Sequence, residues 1–488
     1  MATLSTASIV SFSGALLGNR AVAEHTFGHP SPFLQLGHPE NSIVWRFSLP
    51  KTRLGKNRLG RDRHHGKFKL TIANTVRRYD SNDFEVLRLL STYGYMNISS
   101  YGPPQSGRSL GGVEDNFAAG YNRRDVMQMS GPEMGEGAVQ TRLYSGRISR
   151  GDQMGTRVLL KAYPGITARG TEGMTARGTE VDIMATNELI SHATLQDATP
   201  SGVPRHVAFC YGGFRTRVGE QWLVFQDRGQ VTAVDYAKAA GKATVEKTAV
   251  GEWDFWDRFD IERPIKRRQV FIVKLLRGAF SGLAYMHAND VLHQSLGPAS
   301  IILNIMDERD VGYLVPQLRD LAFAVDVSDQ AMQGSPKQVE SLESVSSVAD
   351  LKDLQSQSPM ATLAADLWRR AAMAGASTPR EKRIFGIADD IYAAGLLFAY
   401  VIFISLSEPG SLDGPSLQRL LENTFRLDLS TAREYFMADD RWVQAVQFLD
   451  LDDGAGWQLL QALLNPNFRM RPTAEAVLNH RFMTGDVP

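Results

Sequence analysis

The sequence predicts an α+β fold, a strand-rich region followed by a larger helix-rich one. Three observations carry this. Strand-like segments cluster between residues 135 and 229, with Arg157–Tyr163 and Gln221–Gly229 the clearest. Long helical segments come later: Val270–His287 has apolar residues at helical spacing, and Ile391–Leu406 is almost uninterruptedly apolar. Between these helices lies a strand–loop–strand unit, Val291-Leu292, then a loop containing Pro298, then Ile301–Leu303. At 488 residues the chain allows two to three domain-sized units on a prior of ~150 residues each. Lys+Arg and Asp+Glu are both 53, so the formal net charge is zero, which argues against bulk attraction to nucleic acid or an anionic membrane. The single cysteine, Cys210, excludes an internal disulfide and a cysteine-based metal cluster and reads as a small buried hydrophobe.

The first 70 residues differ from the rest. The acidic residues among them are Glu24, Glu40 and Asp62, the opening stretch is rich in Ser, Thr and Ala, and a basic run extends from Arg46 to Lys69. Hydroxylated, acid-poor, arginine-containing composition is that of an organelle transit peptide. The Ala after Met1 and the serine content favour the chloroplast, with the mitochondrion as the alternative. Residues 1–70 are therefore set apart as a transit peptide or disordered basic segment, and 71–124 as an N-terminal extension. In that extension Asn82–Ser91 has helical spacing with an Asn cap, and Ser99–Gly120 reads as loop.

Gly135-Glu136-Gly137 then forms a turn between strand-like segments, and Arg157–Tyr163 alternates into a strand with Lys161 near its end. A near-repeat, TARGTE at Thr167–Glu172 and again at Thr175–Glu180, reads as a duplication in a surface loop. A helix follows at Val181–His192, and Val207–Tyr211 pairs antiparallel with Gln221–Gly229. The aromatic cluster Trp253, Phe255, Trp256 and Phe259 reads as packing or a partner surface. Residues 325–387 are Ser- and Gln-rich and loop-like apart from a helix at Met360–Met373. The apolar run at Ile391–Leu406, about 16 residues, falls short of the ~20 needed to span a bilayer, so no integral membrane span is expected.

Two stretches resemble the protein kinase family. In Gly282–Asn304 the frame of the kinase catalytic loop matches at His293, Leu296, Pro298, Ile301, Ile302 and Leu303. In Leu463–Phe482 the run Arg471-Pro472-Thr473, with Leu478, His480 and Phe482 after it, resembles the family's last landmark. The resemblance covers about residues 125–485 and implies a two-lobed kinase fold, with a small β-rich N-lobe at 125–228 and a larger helical C-lobe at 229–488. It implies ATP and Mg²⁺ as cofactors. Gly135, Gly137 and Val139 would form the glycine-rich loop, whose bare backbone can approach phosphates. Lys161 would contact phosphate oxygens and pair with Glu188 of the following helix, Asp182 and Glu180 being weaker candidates. Asp320 lies about 16 residues beyond Asn304, at the family's metal-holding aspartate. Residues 325–387 would be the activation segment, with Thr378–Glu381 as its Ala-Pro-Glu. Asp390 would hold the catalytic loop, and Arg471 would make a structural ion pair.

The reactive groups depart from the family. Ser295 stands where the base Asp is usual, Gly297 where Lys is, Ser300 where a metal-binding Asn is, and Gln294 where Arg is. A hydroxyl cannot accept a proton as a carboxylate does, and loss of a base typically removes about 10²–10⁴-fold of rate. The expectation is an ATP-binding pseudokinase of an organelle that acts through protein partners, with no catalytic residue assigned. The alternatives are a slow or atypical serine/threonine kinase relying on Asp320 and positioning, and a membrane-attached organelle protein with Ile391–Leu406 inserted.

Overall fold

The computed structural model describes residues 77–94, 140–151, 153–164, 174–199, 203–250, 263–332 and 359–485. A six-stranded sheet takes the order β1 (Arg77–Arg78), β5 (Cys210–Arg215), β6 (Gln221–Gln226), β4 (Arg157–Tyr163), β3 (Gln140–Ile148), β2 (Phe84–Gly94). The β1–β5 pair is parallel and the others are antiparallel. Central strand β4 is buried from Val158 onward, and its alternation sorts two apolar layers. Val158, Leu160 and Ala162 pack with Phe214 and Trp222 on one face. Leu159 and Tyr163 pack on the other, against Val181, Met184 and Ala185 of helix α1 (Met174–Ala198). Lys161 falls between Leu159 and Tyr163 in that alternation, so the strand's period aims it at α1.

Three local readings are corrected. Residues 84–94 form a strand rather than a helix, and Arg77–Arg78 join the opposite edge of the same sheet beside β5. The β2–β3 register shifts between Val86 and Arg88 and again between Leu89 and Ser91, so β2 carries extra residues that break its period-2 pattern. It is also an edge strand, on which Val86, Leu87 and Leu89 are exposed. The second TARGTE copy, Thr175–Glu180, lies in α1 rather than in a loop; the first copy is outside the described residues. Val207–Tyr211 divides its pairing: Val207 bridges Leu318, and β5 begins only at Cys210.

Beyond the sheet come α2 (Ala233–Val250), α3 (Arg263–Ala288), α4 (Pro359–Met373) and α5 (Pro379–Leu406). The starting residue of α5 is set by chemistry: Thr378 caps it, Glu381 closes a reciprocal capping box, and Pro379 occupies the first turn, a cap worth about 1 kcal/mol. Its most apolar 18-residue window has mean hydropathy 1.8 and is 83% buried inside the protein, so the apolar run serves as a core helix, apolar on all sides. Phe398 and Phe403 of α5 pack against Phe482 and against Phe436 and Trp457.

Short ladders frame the loop between α3 and the sheet. Strand β9 (Ile301–Leu303) pairs with β7 (Val231–Thr232) and β10 (Gln317–Leu318), while β8 (Val291–Leu292) pairs with β11 (Val325–Asp326). Gly229, at φ +141°, lets the chain after β6 pass so close to Leu303 that a Cβ would collide with its carbonyl oxygen.

Candidate functional site

Three of the residues singled out in the sequence meet at the base of the sheet. Glu188 sits in the sheet-facing stripe of α1, at helical spacing from Val181, Met184 and Ala185. Its carboxylate accepts from Lys161 Nζ at 2.8 and 2.9 Å, and from the Tyr163 hydroxyl. Lys161 Nζ also donates to Asp320 Oδ1 at 2.6 Å. Lys161, Glu188 and Asp320 are 2%, 0% and 6% exposed, so the cluster is dry. Burial opposes the charge on Lys161, but the carboxylates of Asp320 and Glu188 outweigh it and raise its pKa well above the ordinary lysine value. Asp182, by contrast, pairs at the surface with Arg215 and Gln221, and the side chain of Glu180 lies outside the described set.

Two further residues complete the cluster, and the sequence reading gave neither a role. The Tyr93 hydroxyl, at the end of β2, donates to Asp320 Oδ1 at 2.9 Å. Arg319 Nε donates to Asp320 Oδ2 at 3.1 Å, with its guanidinium over the Tyr93 ring at 5.1 Å. Burial pushes the Asp320 pKa up, yet the charges of Lys161 and Arg319 and the hydrogen bonds from Lys161 and Tyr93 bring it down to about 2. Burial and the Asp320 charge push the Tyr93 phenol up to about 12, so it stays a donor. Asp320 itself is left-handed, at φ 68° and ψ 53°. Asn187 of α1 donates to the carbonyls of Ala322 and Ala324 at 2.9 and 2.8 Å, tying α1 to the segment after Asp320. His192, one turn beyond Glu188, is a core histidine set edge-on to Phe225, and burial lowers its pKa to about 4.

The loop from His293 to Ser300 is built around buried Asp390 of α5. Its carboxylate accepts from His293 N at 2.8 Å, Gln294 N at 2.9 Å, Gln294 Nε2 at 3.0 Å and His287 Nε2 at 2.9 Å. His293 Nε2 donates to the Arg319 carbonyl at 3.1 Å. The Ser295 hydroxyl is buried and donates to the Asp320 carbonyl at 2.7 Å. The Ser300 hydroxyl closes its own turn, donating to Gly297 O at 2.7 Å and accepting from Gly297 N at 3.0 Å. Asn304 is committed to Tyr313 O and Val315 N. Asp290 pairs with Arg383.

No family model matches the chain. Among curated proteins it is similar to the serine/threonine-protein kinase STN7, chloroplastic, of Arabidopsis thaliana, at 24% identity over 270 residues, 54% of this chain and 43% of that protein. The chain thus spans less than half the length of that relative. This is a kinase-like relation. The mixed α+β architecture is compatible with it.

In kinase terms the structure brings Lys161, Glu188 and Asp320 together and sets Ser295 against the backbone of Asp320. Asp390 holds the loop, as the resemblance implied. Arg471 donates to the carbonyls of Asn465 and Ala388 and lies over the Tyr392 ring, while Arg469 reaches Glu381 at 3.4 Å. Gly135, Gly137 and Val139, the aromatic cluster at Trp253–Phe259 and the serines between 335 and 358 lie outside the described residues. Arg319 could have been flagged from sequence, since an arginine directly before the expected metal-binding aspartate is its nearest cation. Tyr93 could not, because it reaches the cluster only through the strand that the helical spacing disguised.

Proposed function

We propose that this chain is a chloroplast protein with a two-lobed kinase domain that does not transfer phosphate and acts through binding protein partners. One observation carries the reading: at the position of the catalytic base stands a buried serine whose hydroxyl is turned inward onto the Asp320 carbonyl. Such a group neither reaches an incoming alcohol nor accepts its proton. The nearby carboxylates have other duties: Asp390 fixes backbone, Asp290 pairs with Arg383, and Asp320 is gripped by Lys161, Tyr93 and Arg319. On this reading Lys161, paired with Glu188, is the phosphate-contacting residue and ATP is the cofactor assigned. The chloroplast relative and the acid-poor, Ser-rich N-terminal composition support the location.

The test is phosphate transfer from γ-labelled ATP to the protein itself and to a generic basic acceptor, with Asp320→Asn as control. Wild type is expected to match the control. Transfer about tenfold or more above it would establish the slow-kinase alternative.

A further inference from the structure

We propose that Arg319 fills the seat of a divalent cation on Asp320, so that this cleft takes up no divalent metal. The inference refines the site assigned above and rests on that reading only in placing Asp320 where a metal would otherwise sit.

The carboxylate of Asp320 already accepts three hydrogen bonds, two of them from cationic side chains. Oδ1 accepts from Lys161 Nζ at 2.6 Å and the Tyr93 hydroxyl at 2.9 Å, and Oδ2 accepts from Arg319 Nε at 3.1 Å. Magnesium requires near-octahedral oxygen ligands at about 2.1 Å, commonly one or two carboxylates with waters and phosphates. The second protein ligand is also missing from its position: the Ser300 hydroxyl is spent within its own turn, and the Asn304 amide is held by Tyr313 and Val315. Among the described residues no group of three or more His, Cys, Asp or Glu side chains is arranged to hold a metal ion.

Charge leads to the same conclusion. The formal charges of Lys161 and Arg319 cancel those of Glu188 and Asp320 in a dry cluster. Adding a dication there would leave uncompensated buried charge, which is strongly unfavourable. Nor is Arg319 a surface arginine that happens to lie near. Its N–H donates to Ser300 O at 2.9 Å and its carbonyl accepts from His293, so the loop fixes its backbone. Its side chain is 11% exposed and lies against the Tyr93 ring. A guanidinium delivers a fixed positive charge through directed N–H groups, without the ligand number a metal requires.

The experiment is titration of the full-length protein with Mn²⁺, without nucleotide, free Mn²⁺ being followed by electron paramagnetic resonance. Wild type and Asp320→Asn are expected to bind Mn²⁺ alike. Arg319→Gln is expected to bind Mn²⁺ roughly tenfold or more tightly than wild type, through the freed Asp320 Oδ2 and waters, and adding Asp320→Asn is expected to abolish the gain. A wild-type equivalent that Asp320→Asn removes overturns the proposal, and that arm decides even if Arg319→Gln does not fold. A folded Arg319→Gln that binds no more than wild type overturns it too. In a thermal-shift arm, ATP in EDTA is expected to give the same shift as ATP with Mg²⁺, and a shift confined to the Mg²⁺ buffer again overturns the proposal. No shift in either buffer, with the Mn²⁺ results as expected, supports metal exclusion while removing ATP from the proposed function.

Discussion

Asp320 and Asp390 are both buried carboxylates beside the same loop, and they are satisfied in different ways. Asp390 accepts from two backbone N–H groups and from the side chains of Gln294 and His287, so it fixes the shape of the chain. Asp320 accepts from two cationic side chains and a phenol, groups that could otherwise face a ligand. The first arrangement is architecture. The second closes buried charged side chains upon one another. The loop's frame depends on hydrogen bonds to backbone rather than on the groups in the cleft.

The comparison can be pressed by substitution. Lys161→Met strands Glu188 and Asp320 in a dry site, and urea unfolding is expected to show a loss of about 3–5 kcal/mol. A loss below about 1 kcal/mol would show the Asp320 cluster to be open to water and unlike Asp390. Asp390→Ala leaves the N–H groups of His293 and Gln294 without their acceptor, and about 3 kcal/mol is expected from the same measurement. It should also speed amide hydrogen exchange at residues 293–295, which Lys161→Met should not. Ser295→Ala removes one hydrogen bond, to the Asp320 carbonyl, and is expected to cost about 1 kcal/mol while leaving phosphate transfer at background.

Much of this was legible in the sequence, for identifiable reasons. Arg157–Tyr163 and Met360–Met373 appear as the strand and the helix expected there. Lys161, Glu188 and Asp320 were found because their spacing follows a known frame, and the geometry unites them. Strand β2 was misread because its register shifts disrupt alternation, and because an edge strand with Val86, Leu87 and Leu89 in water lacks a clean buried face. The inward turn of Ser295 is a tertiary fact, set by where the Asp320 carbonyl lies, and no local pattern encodes it.

Adjacent residues on an α-helix point about 100° apart. Helix α5 uses this at Asp389 and Asp390: Asp389 takes a paired grip from Arg370 of α4 at 2.6 and 3.0 Å, and Asp390 takes the loop at His293 and Gln294. Turning the helix about its own axis toward either partner would pull it from the other. The two side chains thus work as a rotational lock, so the segment before α5 and the loop beside the cleft share a single angular setting of one 28-residue rod.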